Sequence, residues 1–144
     1  MVYAFAFLTV FAGIRDWQTH LISNNLCILI LFFFMIAVGN GGSQVDHIVE
    51  HLMLATMALS LGFIFFIVKW WGGGDAKLFA LAVLWIGPEQ LFTFLVTTAL
   101  ILLLATLFAI LKKMVTKKES LALPFGIPIA CGVLYALPQT HWIQ

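Results

Sequence analysis

The chain has 144 residues, of which 63% are hydrophobic and only 9% charged, with a formal net charge of +1 and a mean hydropathy of +1.11. A water-soluble domain devotes about a quarter of its residues to charge, so this composition excludes a soluble enzyme or binding module and implies one integral-membrane domain, all α-helical. Cys27 and Cys131 have no CxxC partner, which excludes a zinc ribbon or a disulfide framework, and nothing in the pattern calls for a nucleic acid, a metal or another cofactor.

In chain order, six apolar stretches are predicted to span a bilayer: residues 2–17, 25–39, 52–71, 76–87, 91–111 and 121–137. A span needs about 20 mostly apolar residues. The third and fifth are long enough unaided, whereas the first, second and fourth need polar flanks, a thin bilayer or burial among neighbours. The first lacks a basic leader and a small-residue cleavage site, so it reads as a retained helix. The sixth contains Pro124 and Pro128 and is expected to be kinked.

Charge placement tests that count. With the N-terminus outside, Arg15, Lys69, Lys77, Lys112, Lys113, Lys117 and Lys118 all fall at one face, while the opposite loops "NGGSQVDHIVEH" and "GPEQ" hold no Lys or Arg. Basic residues accumulate on the cytoplasmic side, so six spans with both termini outside are expected. The loop "LKKMVTKKES" between the fifth and sixth spans needs no further role than orienting the chain, although such loops can hold anionic lipid headgroups.

The acids divide by position. Asp46, Glu50 and Glu89 belong to outer loops, and Glu119 sits in the basic loop beside Lys117 and Lys118. Asp16 and Asp75 remain, each at a span end in apolar sequence, where an ionisable group is a functional candidate. The topology sets both at the inner end of their spans, one on the first and one on the fourth. If those helices are neighbours, the carboxyls can share a proton, one member activating water while the other protonates a carbonyl. The run "WWGGGDAKL" supplies Gly72, Gly73 and Gly74 just before Asp75. Without Cβ atoms, that backbone can approach a substrate strand closely. Asp75 falls in the first turn of its helix, where the macrodipole favours negative charge. Lys77 is two residues on and lies on a different face.

Three segments then resemble one family. "GGGDAK" (72–77) resembles the GxGD-x-K motif of the type IV prepilin peptidases, membrane-embedded aspartic peptidases; "DWQTHLISN" (16–24) resembles that family's Asp followed by Ile-Pro-Asn, with Ser23 in place of Pro; "LPFGIPIA" (123–130) resembles its Pro-Phe-Gly segment. The resemblance implies that Asp16 and Asp75 are the catalytic pair, with Gly72, Gly73, Gly74, Lys77, Asn24, Pro124 and Gly126 as supporting motif residues. It implies cleavage of the short basic leader from a prepilin or pseudopilin at the cytoplasmic face of the inner membrane, just before the substrate's own apolar helix, without a cofactor. Longer members carry an insert with CxxC pairs associated with methylation. This sequence shows none, so a peptidase without methyltransferase is expected, like the short enzymes of tight-adherence (Flp) pili. At Ser23, a hydroxyl or the Asn24 amide can cap the second span in place of the proline.

Other readings compete. "HIVEH" (47–51) fits an inverted zinc-peptidase pattern, but it has no third ligand, and a solvated outer end of the third helix is the expected account. His20 lies beside the proposed site, and His141 is near the C-terminus. A small transport or assembly subunit would use the two aspartates as a polar path, but would want polar groups at several depths, and only Thr56, Ser60 and the 93–98 region offer any. Archaeal-type preflagellin peptidases are compact relatives that the sequence does not separate from the bacterial enzymes. Presenilin-like GxGD proteases are disfavoured by the "ISN" and "PFG" segments. The sequence sets neither the pilin cleaved nor the oligomeric state.

Overall fold

A computed structural model describes residues 2–19, 23–40, 45–69, 72–116 and 125–139. Their regular structure is helical throughout: α1 (Val2–Thr19), α2 (Asn24–Asn40), α3 (Val45–Ile67), α4 (Gly73–Thr116) and α5 (Gly126–Ala136), the last closing in a 3-10 turn at Leu137–Gln139. His20, Trp70, Trp71, Lys117, Lys118, Glu119, Pro124 and His141 lie outside the described residues.

The helix ends follow local chemistry. At the start of α2 the Ser23 hydroxyl accepts the Asn25 N–H at 3.3 Å and the Ser23 carbonyl accepts that of Leu26, so serine supplies the cap. Beyond α3, Lys69 adopts the left-handed conformation (φ 61) with its N–H on the Phe66 carbonyl, a common way to end a helix. Pro128 falls in the first turn of α5, where a missing N–H breaks no intrahelical bond. The expected kink is therefore not produced there.

A sharp break lies at Gly87–Pro88, in the connection expected between the fourth and fifth spans. Gly87 has φ 72 and ψ −174 within α4, a region open essentially to glycine alone. Phe79 and Phe94 stack with ring centroids 5.8 Å apart, although fifteen residues of straight helix would separate them by about 22 Å. So α4 folds back on itself as a hairpin with arms 73–86 and 88–116. Among the described residues the resulting helical segments overlap the six apolar stretches, but α3 begins at Val45 and takes in sequence assigned above to a loop.

Side-chain contacts set the register. Along the first arm, α3 runs antiparallel, with Gly62 against Ala76 at one end and His51 against Leu84 at the other. α2 runs parallel, with Asn24 on Lys77, and Ile30 and Phe34 on Trp85. α1 lies against the same arm, where Phe5 stacks on Trp85 at 4.4 Å. α5 packs Gly132 against Phe94 and Thr98 of the second arm. Trp85 is the centre of the core, fully buried, its indole N–H directed at the Ile30 carbonyl.

The outer surface is apolar: Phe7, Phe32, Met35, Met57, Phe92, Leu103 and Phe108 are all well exposed. Two described stretches, Ile48–Ile67 and Gly73–Leu111, are long and apolar enough to cross a membrane by length and composition, the second comprising both arms of the hairpin. An apolar exterior over a packed core fits lipid as the surrounding solvent.

Candidate active site at the glycine turns

Asp16 is near the end of α1 and only 4% exposed. Its Oδ2 accepts the Gly126 N–H at 2.9 Å. Gly126 is the first residue of α5, so this N–H is one that its own helix leaves unpaired. The two helices come this close because both are bare at the crossing. A Cβ on Gly126 would stand 2.9 Å from Asp16 Cβ, and one on Gly13 would stand 3.1 Å from the Gly126 carbonyl oxygen.

Asp75 is the third residue of α4 and 7% exposed. Its Oδ2 accepts the Gly72 N–H at 3.1 Å, so it closes the glycine turn from within the first helical turn, where negative charge is favoured. A second close crossing steadies it. A Cβ on Gly62 of α3 would meet the Ala76 Cβ at 2.8 Å, the small-on-small contact by which membrane helices approach. Gly73 faces the Phe66 ring, and Gly74 is half-buried.

Lys77 is exposed and donates from Nζ to Asn24 Oδ1 at 2.8 Å, tying the start of α2 to the start of α4. Four residues lie between the end of α1 and the start of α2, so the C-terminal end of α1 is at this same end of the bundle. The aromatic stack supplies the scale. From Phe5 to Asp16 is eleven residues of α1, and from Trp85 back to Asp75 is ten residues of α4, about 16 and 15 Å of helix rise. Both carboxylates therefore lie at one level.

Among the described residues, then, the motif residues meet each other in pairs: Asp16 with Gly126, Asp75 with Gly72, and Lys77 with Asn24. Sequence reasoning missed the glycines behind them. Gly13 and Gly62 each sit inside an otherwise apolar helix, and that isolated glycine was the available signal. It also missed His51, which is 5% exposed rather than solvated and has its Nδ1 2.8 Å from the Leu84 carbonyl.

Fold and site together define an all-helical, apolar-surfaced bundle with two buried aspartates held at glycine turns at one end. The sequence model of the type IV leader peptidase family matches residues 3–111, which is well over half of the chain and takes in both aspartates. The chain belongs to that family and is a peptidase by descent. None of the curated proteins and none of the solved structures gives a match.

Proposed function

We propose that the protein is a multi-pass inner-membrane leader peptidase that removes the short basic leader of an Flp-type prepilin or pseudopilin, using Asp16 and Asp75 as an aspartic pair. The reaction needs one acid charged and the other protonated. The charged member takes a proton from a water as the water oxygen attacks the scissile carbonyl and the protonated member gives its proton to the carbonyl oxygen. The tetrahedral intermediate then collapses, the C–N bond breaks, and the first acid passes the water's proton to the leaving amine while the second recovers its own. The backbone N–H groups of Gly126 and Gly72 fix the orientation of each carboxyl, and six spans with outer termini set this chemistry at the cytoplasmic face. The observation that carries this reading is the burial of two aspartates at one level of the bundle in a chain of this family.

A polar path for transport finds less support. The hydroxyls of Thr56, Ser60, Thr97 and Thr106 each donate to the carbonyl four residues back on their own helix, which leaves them turned inward on their own backbone rather than toward one another.

The test is co-expression with an Flp-type prepilin, read as a gel shift. Wild type is expected to trim the precursor. Asp16→Asn and Asp75→Asn keep the shape but remove the titrating proton, and each should cut the rate by about 10²–10⁴ at normal membrane levels. Equal trimming by all three would overturn the aspartic assignment.

A further inference from the structure

Beside the glycine turn, on the side facing away from Asp75, is an apolar groove of about 670 Å³ between α3 and the start of α4. Its walls include Ser60, Phe63, Ile64 and Phe66 on one side and Gly73 and Lys77 on the other. Gly73 and Lys77 are four residues apart and share a face of α4. Asp75 is two residues from each, which is about 200° of helical turn. The groove and the catalytic candidate are therefore on opposite sides of one helix end, and among the described residues the turn at Gly72 and Gly73 lies between them.

That separation is short. A helix is about 10 Å across with its side chains, and an extended chain covers that in about three residues. Gly72 is exposed, and neither it nor Gly73 carries a side chain to obstruct a strand crossing the end of the helix. A second groove, of about 300 Å³ between α2, α3 and α4, also touches Lys77. It runs toward Leu84, away from the turn, and has no glycine in its wall.

We infer that the larger groove receives the apolar helix that follows the scissile bond of the substrate, and that the substrate unwinds for about three residues over Gly72 and Gly73 to bring that bond to Asp75. This rests on the peptidase reading and deepens it. The order of surfaces matches the order of the substrate: an apolar wall open to lipid for the apolar helix, a bare backbone saddle for the extended strand, then the carboxylates. It also gives the consecutive glycines a reason. One glycine would suffice for a turn, whereas a crossing strand needs adjacent positions without a Cβ.

Purified full-length protein in lipid nanodiscs would be given two substrates: a whole prepilin, and the same precursor cut a few residues beyond the scissile bond so that the apolar helix is missing. Ser60→Trp fills the groove at its middle. For the whole precursor it should raise KM about tenfold or more while kcat stays within about twofold, which marks lost binding rather than lost chemistry. The truncated precursor should show no change in KM. Leu103→Trp, on the exposed face of the second arm, is the control and should match wild type with both substrates. A disulfide between Ile64→Cys and a cysteine in the substrate's apolar helix, formed in the Asp75→Asn background with Cys27 and Cys131 replaced by Ser, gives a second measure that needs no turnover. An unchanged KM together with no cross-link would overturn the groove and leave lipid as its occupant, while the peptidase reading stands. If wild type cleaves neither precursor, the peptidase reading fails, and this one fails with it.

Discussion

The two ends of the hairpin arm 73–86 solve opposite problems with the same device. At its start, backbone N–H groups lack partners, and carboxylates accept them: Asp75 takes Gly72, and Asp16 takes Gly126 at the start of α5. At its far end a carbonyl lacks a partner, because Pro88 has no N–H to return to Leu84, and the His51 imidazole reaches that carbonyl at 2.8 Å. At both ends a glycine makes the space. The orphan groups at helix ends thus dictate what side chain stands there, acceptors at one end and a donor at the other. The described acids at the far end, Glu50 and Glu89, are exposed, whereas Asp16 and Asp75 at the acceptor end are buried.

Substituting the two glycines separates the ends most sharply. Gly87→Ala should be the more damaging to folding. Its φ of 72 strains any Cβ, and that Cβ would overlap the His51 ring. We expect a loss of about 3 kcal/mol or more, seen as depleted membrane levels and an early unfolding transition in a denaturing-detergent titration. Gly126→Ala should act on chemistry. Its Cβ would stand 2.9 Å from Asp16 Cβ, so α5 or the carboxyl must shift by a few tenths of an ångström. Prepilin cleavage should fall about ten- to a hundredfold while the protein still inserts. Cleavage at the wild-type rate in Gly126→Ala would mean that the Gly126 N–H does not position Asp16. A near-normal unfolding midpoint in Gly87→Ala would mean that the elbow tolerates other backbone.

How much of this the sequence disclosed depends on what kind of force each feature uses. The helical stretches were legible because a chain in lipid must satisfy its backbone within each segment, and hydropathy reports that directly. Asp16 and Asp75 stood out because charge in an apolar run is rare. The pairing of Lys77 with Asn24 and of Asp16 with Gly126 was not legible, since it depends on register between distant helices. Of the two prolines expected to kink the last span, Pro128 lies in a first turn and disturbs nothing, and Pro124 lies outside the described residues. Pro88, placed in a short polar connection, follows a glycine with positive φ, and the chain turns back there between two helices. His51 was misread because "HIVEH" has the look of a solvated or metal-binding segment, whereas its partner is a carbonyl that Pro88 orphaned far along the chain. The usable signal was there: a proline four residues after Leu84 leaves that carbonyl in want of a donor.

His51 gives the smallest effect and the finest test of the comparison. A carbonyl oxygen can only accept, so Nδ1 must carry the proton in this bond. His51→Leu fills much of the same volume but leaves the buried Leu84 carbonyl without its donor, at a cost of about 1–3 kcal/mol. His51→Asn sets an amide N–H close to where Nδ1 stood and should recover most of that loss, whereas a purely space-filling role would favour Leu over Asn. Cleavage is expected to respond differently. The elbow is twelve residues of helix from Asp75, about 18 Å, so whatever folded Leu variant remains should cleave within about twofold of wild type per molecule. If the Leu variant is instead as stable as wild type but slow, the two ends are mechanically coupled, and His51 belongs to the positioning of Asp75 rather than to the elbow alone.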